Sequence, residues 1–333
     1  MLFIDRPTEA RERALVTWQD GFIALSLMMG VPASFLTPRQ RWVLCNTIAR
    51  VTPSGRHTQR DRARMQRLGD LTATEAERVD RLLRASRVAA NFNVMRTLMR
   101  GPDVRVVGSG FELLSAAVAA GRGAVLWVSD FAGAGDVTKI ALAQAGHRVN
   151  HLSRIEHGFS ESWFGIRYLN PLRIRLELRY LNERVVFDRM HPSTAMLHLA
   201  RHLRANGVVT IAAGAQEGRT IVEAGFLRGT LGLATGAPRL AVMVGAPIFP
   251  VFTMPRSGDP GIFDVSIGAP LALPPTVPED EQVMAAAAEY LDRLEAHVRQ
   301  RPECWVGWRR AEYFTDARGG GEGPGRAIAA SAG

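Results

Sequence analysis

The sequence predicts an α/β fold in which helices flank a mixed, mainly parallel sheet, preceded by a basic helical region. After residue 101, short apolar runs alternate with helical patterns, as expected for a sheet that is covered on both faces. Between residues 39 and 100 the pattern is helical, with fourteen arginines against five acidic residues. We therefore divide the chain into an Arg-rich helical region (1–101), an α/β domain (102–314) and a Gly/Ala-rich tail (315–333) that is predicted to be disordered.

The composition describes a folded, basic protein. Of its 333 residues 47% are hydrophobic, and the net charge is +9 at pH 7. This positive charge permits anionic lipid surfaces, acidic carrier proteins and RNA as partners, and we do not expect DNA. Cys45 and Cys304 lie far apart without metal-ligand spacing, which argues against a disulfide framework and favours a reducing cytoplasm. The N-terminus lacks the order of regions found in a secretory signal.

The helical region begins with the longest uncharged stretch, Gly21–Leu36, which includes Pro32. A helix needs about 20 apolar residues to cross a bilayer, so this shorter stretch predicts a buried or interfacial helix rather than a span. Apolar residues at helical spacing between 79 and 98 predict a core helix. The arginines form either a solvated face on core helices or a cationic surface for a lipid headgroup, a carrier protein or RNA.

The α/β section alternates strands with helices. Short apolar runs rich in β-branched residues predict the strands Val104–Val107, Ala124–Val128, Arg148–Leu152, Val185–Phe187, Val208–Ala212, Ile248–Thr253 and Phe263–Ile267. Amphipathic patterns predict the helices Gly110–Ala120, Asp136–Ala145, Ser193–Asn206, Ala237–Val244 and Glu279–Arg301. Helix starts and stops follow the usual signals, with Pro192 before one helix and Gly207 after it.

The stretch Gly123–Asp136 combines a strand, a small-residue loop and the start of a helix. The apolar run Ala124–Val128 ends at polar Ser129 and Asp130, and Asp136 opens the next helical pattern. In open α/β sheets, binding and catalytic groups gather at the carboxyl ends of strands. This loop is therefore the predicted place of a functional site.

The segment VSDFAGAGD, residues 128–136, resembles the strand-one motif of the bacterial lysophospholipid acyltransferase superfamily. The similar branch is the one that adds lauroyl and myristoyl chains to lipid A, whose motif reads roughly V-T-x-H-x-G-N-W-E. Asp136 stands at the position of the acid, whereas Phe131 replaces the histidine. The resemblance implies a glycerolipid acyltransferase-like fold and acyl transfer with an altered active site.

Later segments extend the resemblance to about residues 121–314. NHLSR matches a strand that ends in an arginine for the acyl acceptor or a phosphate, here Arg154. GVVTIAAGAQEG matches a strand that ends in Asp-Gln, with Ala215 at the aspartate position and Gln216 retained. FLRGTLGLATGAPRLAVMVGAPIFPV and PECWVGWRR match a later turn, helix and strand and the terminal segment. The substrate-binding residues implied by the resemblance are Phe131, Arg154, Gln216, Arg228, Thr235, Gly236 and Arg239.

An acyltransferase of this type needs a base for the acceptor hydroxyl and hydrogen-bond donors for the oxyanion. The ring of Phe131 has no lone pair, so it cannot take the proton. Asp136 either serves as the base or only caps the following helix, and Asp130 and Ser129 are close enough to substitute in part. A carboxylate is a weak base at its ordinary pKa of about 4 unless burial raises that pKa. The candidate catalytic residues are therefore Asp136, Asp130 and Ser129.

Three functions remain open at this point. The first is acyl transfer from a thioester or other activated donor by altered chemistry. The second is a specialised transferase with an amine acceptor or an aminoacyl-tRNA donor, since a deprotonated amine needs little help from a base. The third is a non-catalytic binding or scaffold protein, which leaves open whether the chain is an enzyme.

The expected partner is an acyl donor, namely an acyl carrier protein, acyl-CoA or aminoacyl-tRNA. An anionic membrane surface is a further candidate partner, and we expect neither a cofactor nor a metal ion. The expected location is the cytoplasm, with the inner face of the plasma membrane as the place for a peripheral, membrane-associated form.

The histidines offer no stronger site. His151 and Glu156 have a His-x4-acid spacing that chance explains better than a relocated base. His198 and His202 share one helix face, but no third ligand lies nearby, so a solvated face explains them better than a metal site. The sequence also lacks the phosphate-binding loop of NTPases and the Gly-x-Ser-x-Gly elbow of serine hydrolases.

Overall fold

The computed structural model describes residues 2–5, 14–52, 56–187, 192–214, 220–310 and 313–314. The predicted tail and Gln216 lie outside these ranges. The N-terminal region contains the helices α1 (Trp18–Ala33), α2 (Pro38–Val51), α3 (Arg56–Gly69) and α4 (Ala73–Arg100). Capping boxes start α2 and α4, because the Thr37 and Thr72 side chains accept from backbone N–H groups three residues later.

The described strands are β1 (Leu2–Asp5), β2 (Arg105–Ser109), β3 (Ala124–Val128), β4 (Val149–Arg154), β5 (Leu181–Phe187), β6 (Val208–Ala212), β7 (Thr220–Phe226), β8 (Gly229–Ala234), β9 (Ile248–Arg256) and β10 (Asp259–Ile267). The remaining helices are α5 (Phe111–Ala119), α6 (Ala134–Gln144), α7 (Asn170–Glu177), α8 (Pro192–Arg204), α9 (Gly236–Val244) and α10 (Glu279–Gln300). A π-helical turn, Gly165–Leu169, precedes α7, and two 3₁₀ turns, Pro302–Cys304 and Val306–Arg309, follow α10.

A seven-stranded sheet has the order β2-β10-β9-β3-β6-β4-β5, and only its β9–β10 pair is antiparallel within the described residues. This confirms the predicted mixed, mainly parallel sheet between helices. All seven predicted strands are present, with β3 and β6 at the predicted bounds. The strands β1, β7 and β8 were not predicted, and they form a separate antiparallel sheet.

The sheet separates two hydrophobic cores, as alternation along β3 requires. Val125 and Trp127 face one core, which contains buried residues of α8, α9 and α10, whereas Ala124 and Leu126 face the other, with α5 and α6. Four of the five residues of β3 are buried and they lie on both of its faces, which explains its uninterrupted apolar sequence.

Two of the N-terminal helices contribute to the larger of these cores. Met65 and Leu68 of α3 and Val79 and Leu83 of α4 are buried in the same cluster as Trp127. Helices α3 and α4 therefore stabilise the α/β domain directly.

Several arginines of the helical region form internal ion pairs. The buried carboxylate of Asp80 lies 3.2 Å from Arg62, 3.1 Å from Arg84 and 3.4 Å from Arg309. In the same region, Arg41 pairs with Asp103 at 2.6 Å. These arginines fix helices against one another and against the C-terminal segment.

Helix α1 packs with only one side. Ile23 and Leu27 are buried, while Leu25, Met28 and the following Phe35 are exposed. None of the described helices is long and apolar enough to cross a membrane.

Candidate active site

The loop after β3 is fixed by the C-terminal segment. The hydroxyl of Ser129 donates to the carbonyl oxygen of Val251 at 3.0 Å. The carboxylate of Asp130 accepts from Nε of Arg310 at 2.9 Å, and the Asp130 carbonyl accepts from the Val306 N–H at 3.0 Å. Ser129 and Asp130 are therefore held by partners within the fold.

Phe131 belongs to the hydrophobic core. Only 2% of the surface of Phe131 is exposed to solvent. The centroid of its ring lies 6.3 Å from that of Phe252 and 6.5 Å from that of His297. The backbone of Phe131 also bridges to Trp305. The side chain that replaces the motif histidine thus faces inward.

Asp136 does not cap helix α6, so that interpretation of its role is wrong. The N-cap is Gly133, which has φ = 79° and makes no side-chain cap bond. Asp136 instead lies in the first turn, where its negative charge is favourable, and its Oδ1 accepts from Nη2 of Arg173 at 3.2 Å. At Gly135 a Cβ would lie 3.3 Å from this guanidinium, so the small residue leaves room for it.

The guanidinium of Arg173 lies near carboxylates at both ends of the loop after β3. Burial alone would lower its pKa, yet the nearby charges of Asp136, Glu177 and Asp130 raise the pKa of Arg173 above its ordinary value. Asp130 and Asp136, two of the three predicted catalytic residues, are thus brought near one guanidinium.

Glu177, the last residue of α7, is the centre of a buried charge cluster. Its Oε1 lies 2.6 Å from Nζ of Lys139, 2.8 Å from Nε2 of His157 and 3.6 Å from Nε of Arg173. Its Oε2 has no hydrogen-bond partner in the described part of the chain. Burial alone would raise the pKa of Glu177, but Lys139, His157 and Arg173 together hold that pKa well below its ordinary value.

Two histidines lie in β4 and in the turn that follows it. His151 is buried within the strand, and its Nδ1 is 2.9 Å from Oγ1 of Thr210 on β6. His157 follows in the next turn, with its ring centroid 6.0 Å from that of His151. Burial, with the nearby charge of Lys139, lowers the pKa of His151 well below its usual value, and burial also lowers the pKa of His157.

Arg154 ends β4 and pairs with Glu161 at 3.2 Å. Because β3, β4 and β6 are parallel and adjacent, Arg154 lies at the same edge of the sheet as the loop after β3.

The other predicted binding residues make separate contacts. Arg228 forms an exposed ion pair with Asp70 at 2.6 Å, and Arg239 pairs with Glu279 at 3.3 Å and Asp280 at 2.6 Å. Thr235 is buried and donates to the Thr220 carbonyl at 3.1 Å, and Gly236 begins α9. Gln216 lies outside the described residues, and so does Ala215.

Sequence reasoning missed Lys139, His157, Arg173 and Glu177. One signal was available, because Lys139 is the only lysine in a chain rich in arginine. The i,i+4 spacing of Arg173 and Glu177 on α7 was another. Neither signal reveals that the two helices meet.

The edge of the sheet therefore carries the His157 imidazole, carboxylates and guanidinium groups, which can bind an anionic substrate and move protons. Among the described residues, no group of three or more histidine, cysteine or acidic side chains could hold a metal ion. His198, considered above with His202, lies 2.8 Å from the exposed Glu183 instead.

Residues 171–310 match a family model described as "Bacterial lipid A biosynthesis acyltransferase". No curated protein matches the sequence. Among solved structures, the chain is similar to the 1-acyl-sn-glycerophosphate (LPA) acyltransferase PlsC from Thermotoga maritima. The identity is 13% and the TM-score 0.39, with 80% of this chain and 99% of that chain covered.

Proposed function

We propose that the protein is an acyl-group transferase with a divergent active site, because residues 171–310 match the family model of bacterial lipid A biosynthesis acyltransferases. The family match is the observation that carries the proposal. The matched region contains Arg173 and Glu177 but begins after helix α6, whose first turn holds Asp136. The ion pair between Asp136 and Arg173 thus connects the altered motif, which contains Asp136, to the matched region, which contains Arg173.

The donor in this proposal is a thioester of acyl carrier protein or of CoA. An acceptor hydroxyl attacks the thioester carbonyl, a C–O bond forms, the C–S bond breaks, and the thiol leaves with the proton. We place this reaction at the carboxyl ends of β3, β4 and β6, where Ser129, Asp130 and Asp136 lie. Arg154, whose partner Glu161 is an exposed side chain, supplies positive charge for an anionic acceptor.

An amine acceptor or an aminoacyl-tRNA donor is the second candidate. The observation that favours it is the replacement of the motif histidine by Phe131, whose ring faces the core. An amine that is already deprotonated at working pH attacks without a strong general base.

We also propose that phosphate groups of the donor bind in the helical region. A cavity of about 260 Å³ there is lined by Arg50, Val51, Thr52, Arg62, Glu77, Arg81 and Arg84. Arg62 and Arg84 also pair with Asp80, so the excess positive charge of this cavity comes from Arg50 and Arg81. Arg binds phosphate well through its planar donor fork. CoA, the prosthetic group of a carrier protein and tRNA all carry phosphate.

A peripheral position on an anionic membrane in the cytoplasm is proposed from the exposed apolar side chains. Trp18 is 81% exposed, and Leu15 and Trp163 are exposed in neighbouring backbone segments, since the Phe164 N–H donates to the Leu15 carbonyl. Aromatic residues flanked by cations suit the bilayer interface, and the guanidinium of Arg167 lies 5.9 Å from the Tyr168 ring beside this patch.

The test is a transfer assay on the purified full chain. Lauroyl and myristoyl thioesters of carrier protein and of CoA are offered with a lysophospholipid or with a primary amine, and aminoacyl-tRNA is offered in a separate reaction. Thiol release and product masses are measured. Ester formation from a thioester is the expected result.

The other outcomes are equally distinct. Amide formation alone would establish the second candidate. Tight binding of a donor without turnover would overturn the transferase proposal and leave a binding protein. Binding to vesicles that contain anionic lipid, and its loss on replacing Trp18 and Trp163 by serine, tests the membrane position separately.

A further inference from the structure

A relocated His–carboxylate pair lies beside the altered loop. Phe131 cannot accept a proton, yet the turn after β4 brings His157 to the same edge of the sheet. Its Nε2 lies 2.8 Å from Oε1 of Glu177. A series of ion pairs connects Asp136, just after the altered loop, to this pair. Arg173 lies 3.2 Å from Asp136 and 3.6 Å from Glu177, and Glu177 lies 2.8 Å from His157.

The protonation state of the pair follows from its contacts. Glu177 is ionised, because its neighbours hold its pKa well below the ordinary value despite burial. A carboxylate only accepts hydrogen bonds, so the proton of the His157 ring must lie on Nε2. Burial lowers the pKa of His157, so the ring is neutral at pH 7 and Nδ1 carries a lone pair. Nδ1 has no hydrogen-bond partner among the described residues, and the side chain is 25% exposed.

His157 is held on a rigid turn. Its N–H donates to the Arg154 carbonyl at 3.2 Å. The buried side chain of Asn170 accepts from the N–H groups of Phe159 and Ser160 and donates to the Glu156 and Ser160 carbonyls. Gly158 has φ = 150°, and a Cβ there would collide with Asn170, so only glycine fits. A histidine fixed in this way is suited to act on a bound substrate.

The histidine within β4 has a different role. His151 is 8% exposed and engages Thr210, so it is too enclosed to contact a substrate. It lies behind His157 as part of the packing. His157 is thus the imidazole of this cluster that a substrate can reach.

We propose that His157 is the general base of the transfer reaction and that Glu177 is its positioning residue. This inference rests on the proposed acyltransferase function. Nδ1 takes the proton of the acceptor hydroxyl as its oxygen attacks the thioester carbonyl. The tetrahedral intermediate then collapses, the C–S bond breaks, and the same proton passes from the imidazolium to the departing thiolate. Glu177 accepts from Nε2 throughout and stabilises the imidazolium.

The charges around the pair determine its pH dependence. The groups that face it from the elements packed around it are Lys139 of α6, Arg173 and Glu177 of α7, His151 of β4 and Arg184 of β5. The rate should rise with pH through one ionisation that lies below the ordinary histidine value of about 6.5, and it should be level by neutral pH.

The central variant is His157→Gln, assayed with lauroyl-CoA, lauroyl carrier protein and a lysophospholipid. Glutamine can still donate to Glu177, but it cannot hold a proton near neutral pH. The expected result is a loss in kcat of about 10²–10⁴-fold with unchanged thermal stability, and loss of the acidic limb of the pH profile. His198→Gln is the matched control, because His198 also lies 2.8 Å from a glutamate but is on the surface.

His157→Ala adds a second readout. Free imidazole should restore part of its activity, whereas it should not restore His157→Gln, in which the amide fills the space. In Glu177→Asp, His157 should still act as the base, but the pH dependence of the rate should shift, as expected when a positioning residue is altered.

The outcomes separate this inference from the proposed function. If the wild type transfers acyl groups and His157→Gln keeps its rate within threefold of His198→Gln, the base assignment is overturned and the transferase function stands. If imidazole does not restore activity to His157→Ala and the His157→Gln protein is unfolded, His157 has a purely structural role and the base assignment is overturned. An inactive wild type overturns both proposals.

Discussion

Removing the charge of Lys139 should destabilise the fold severely. The Lys139 and Glu177 side chains are 4% and 0% exposed, and the atoms Nζ and Oε1 are 2.6 Å apart. In Lys139→Met the Glu177 carboxylate stays buried, and its remaining neighbours are His157 and Arg173, the latter at 3.6 Å. Its Oε2 has no hydrogen-bond partner among the described residues. Breaking one side of a buried pair typically costs about 3–5 kcal/mol, a large part of the stability of a typical domain.

The matched control is Arg228→Met. The Arg228–Asp70 pair is also 2.6 Å long, but both side chains are 60% exposed. Exposed pairs contribute about 0–1 kcal/mol, so burial alone distinguishes the two variants. The double variant Lys139→Met/Glu177→Leu should recover most of the loss, since two apolar side chains replace the pair.

The assay is urea unfolding followed by circular dichroism, with equal m-values required for comparison. Burial would raise the pKa of Glu177, but Lys139, His157 and Arg173 lower it in the wild type. The stability from this group is therefore present above the unfolded pKa of about 4.3 and lost as the pH falls through the lower folded value. Without Lys139 the pKa of Glu177 in the folded protein rises. The difference in unfolding free energy between wild type and variant should therefore be largest near pH 7 and become smaller toward acidic pH. A cost below 1 kcal/mol at pH 7 would refute the buried charge cluster.

Other variants test the loop, the helical region and the thiols. Phe131→Ala should cost about 3–5 kcal/mol because its ring is buried, whereas Phe131→His should lose stability without gaining transfer activity; a faster enzyme would contradict the inward placement. Asp80→Asn should cost about 3–5 kcal/mol in urea unfolding, since three guanidinium groups lose their carboxylate, and a loss below 1 kcal/mol would contradict this. Burial raises the pKa of both Cys45 and Cys304 to about 12, so a disulfide reagent at pH 8 should label them only after unfolding. Rapid labelling of the native protein would refute their burial.

The parts of the fold that could be predicted are those with a strong local signal. β3 and β6 are buried on most positions, so their apolar runs define them without knowledge of their neighbours. The hairpin of β7 and β8 lacks that signal, because glycines interrupt both strands and Leu227 in the turn has φ = 53°. Helix α6 begins before Asp136, since Gly133 supplies the αL cap that the sequence pattern assigned to an acidic residue.

The site could be predicted only at the level of the loop and the sheet edge. Lys139 and Glu177 are 38 positions apart, and α7 has the sequence of an ordinary polar helix. Nothing local indicates that Glu177 is buried, because its partners Lys139 and His157 come from α6 and from the turn after β4. Long-range pairing of this kind is invisible to spacing arguments, and so His157 was not a candidate.

The bridge between the loop after β3 and the C-terminal segment has a consequence for biosynthesis. The Ala132 N–H donates to the Cys304 carbonyl at 2.7 Å, and the Asp130 carbonyl accepts from Val306. A nascent chain that stops at Arg301 already contains every strand of the large sheet but lacks these partners for the loop. Because synthesis proceeds from the N-terminus, the loop is completed only after α10 has emerged. A prematurely terminated chain of this kind would therefore keep the strands of the large sheet, while its loop after β3 would lack the backbone partners that Cys304 and Val306 supply.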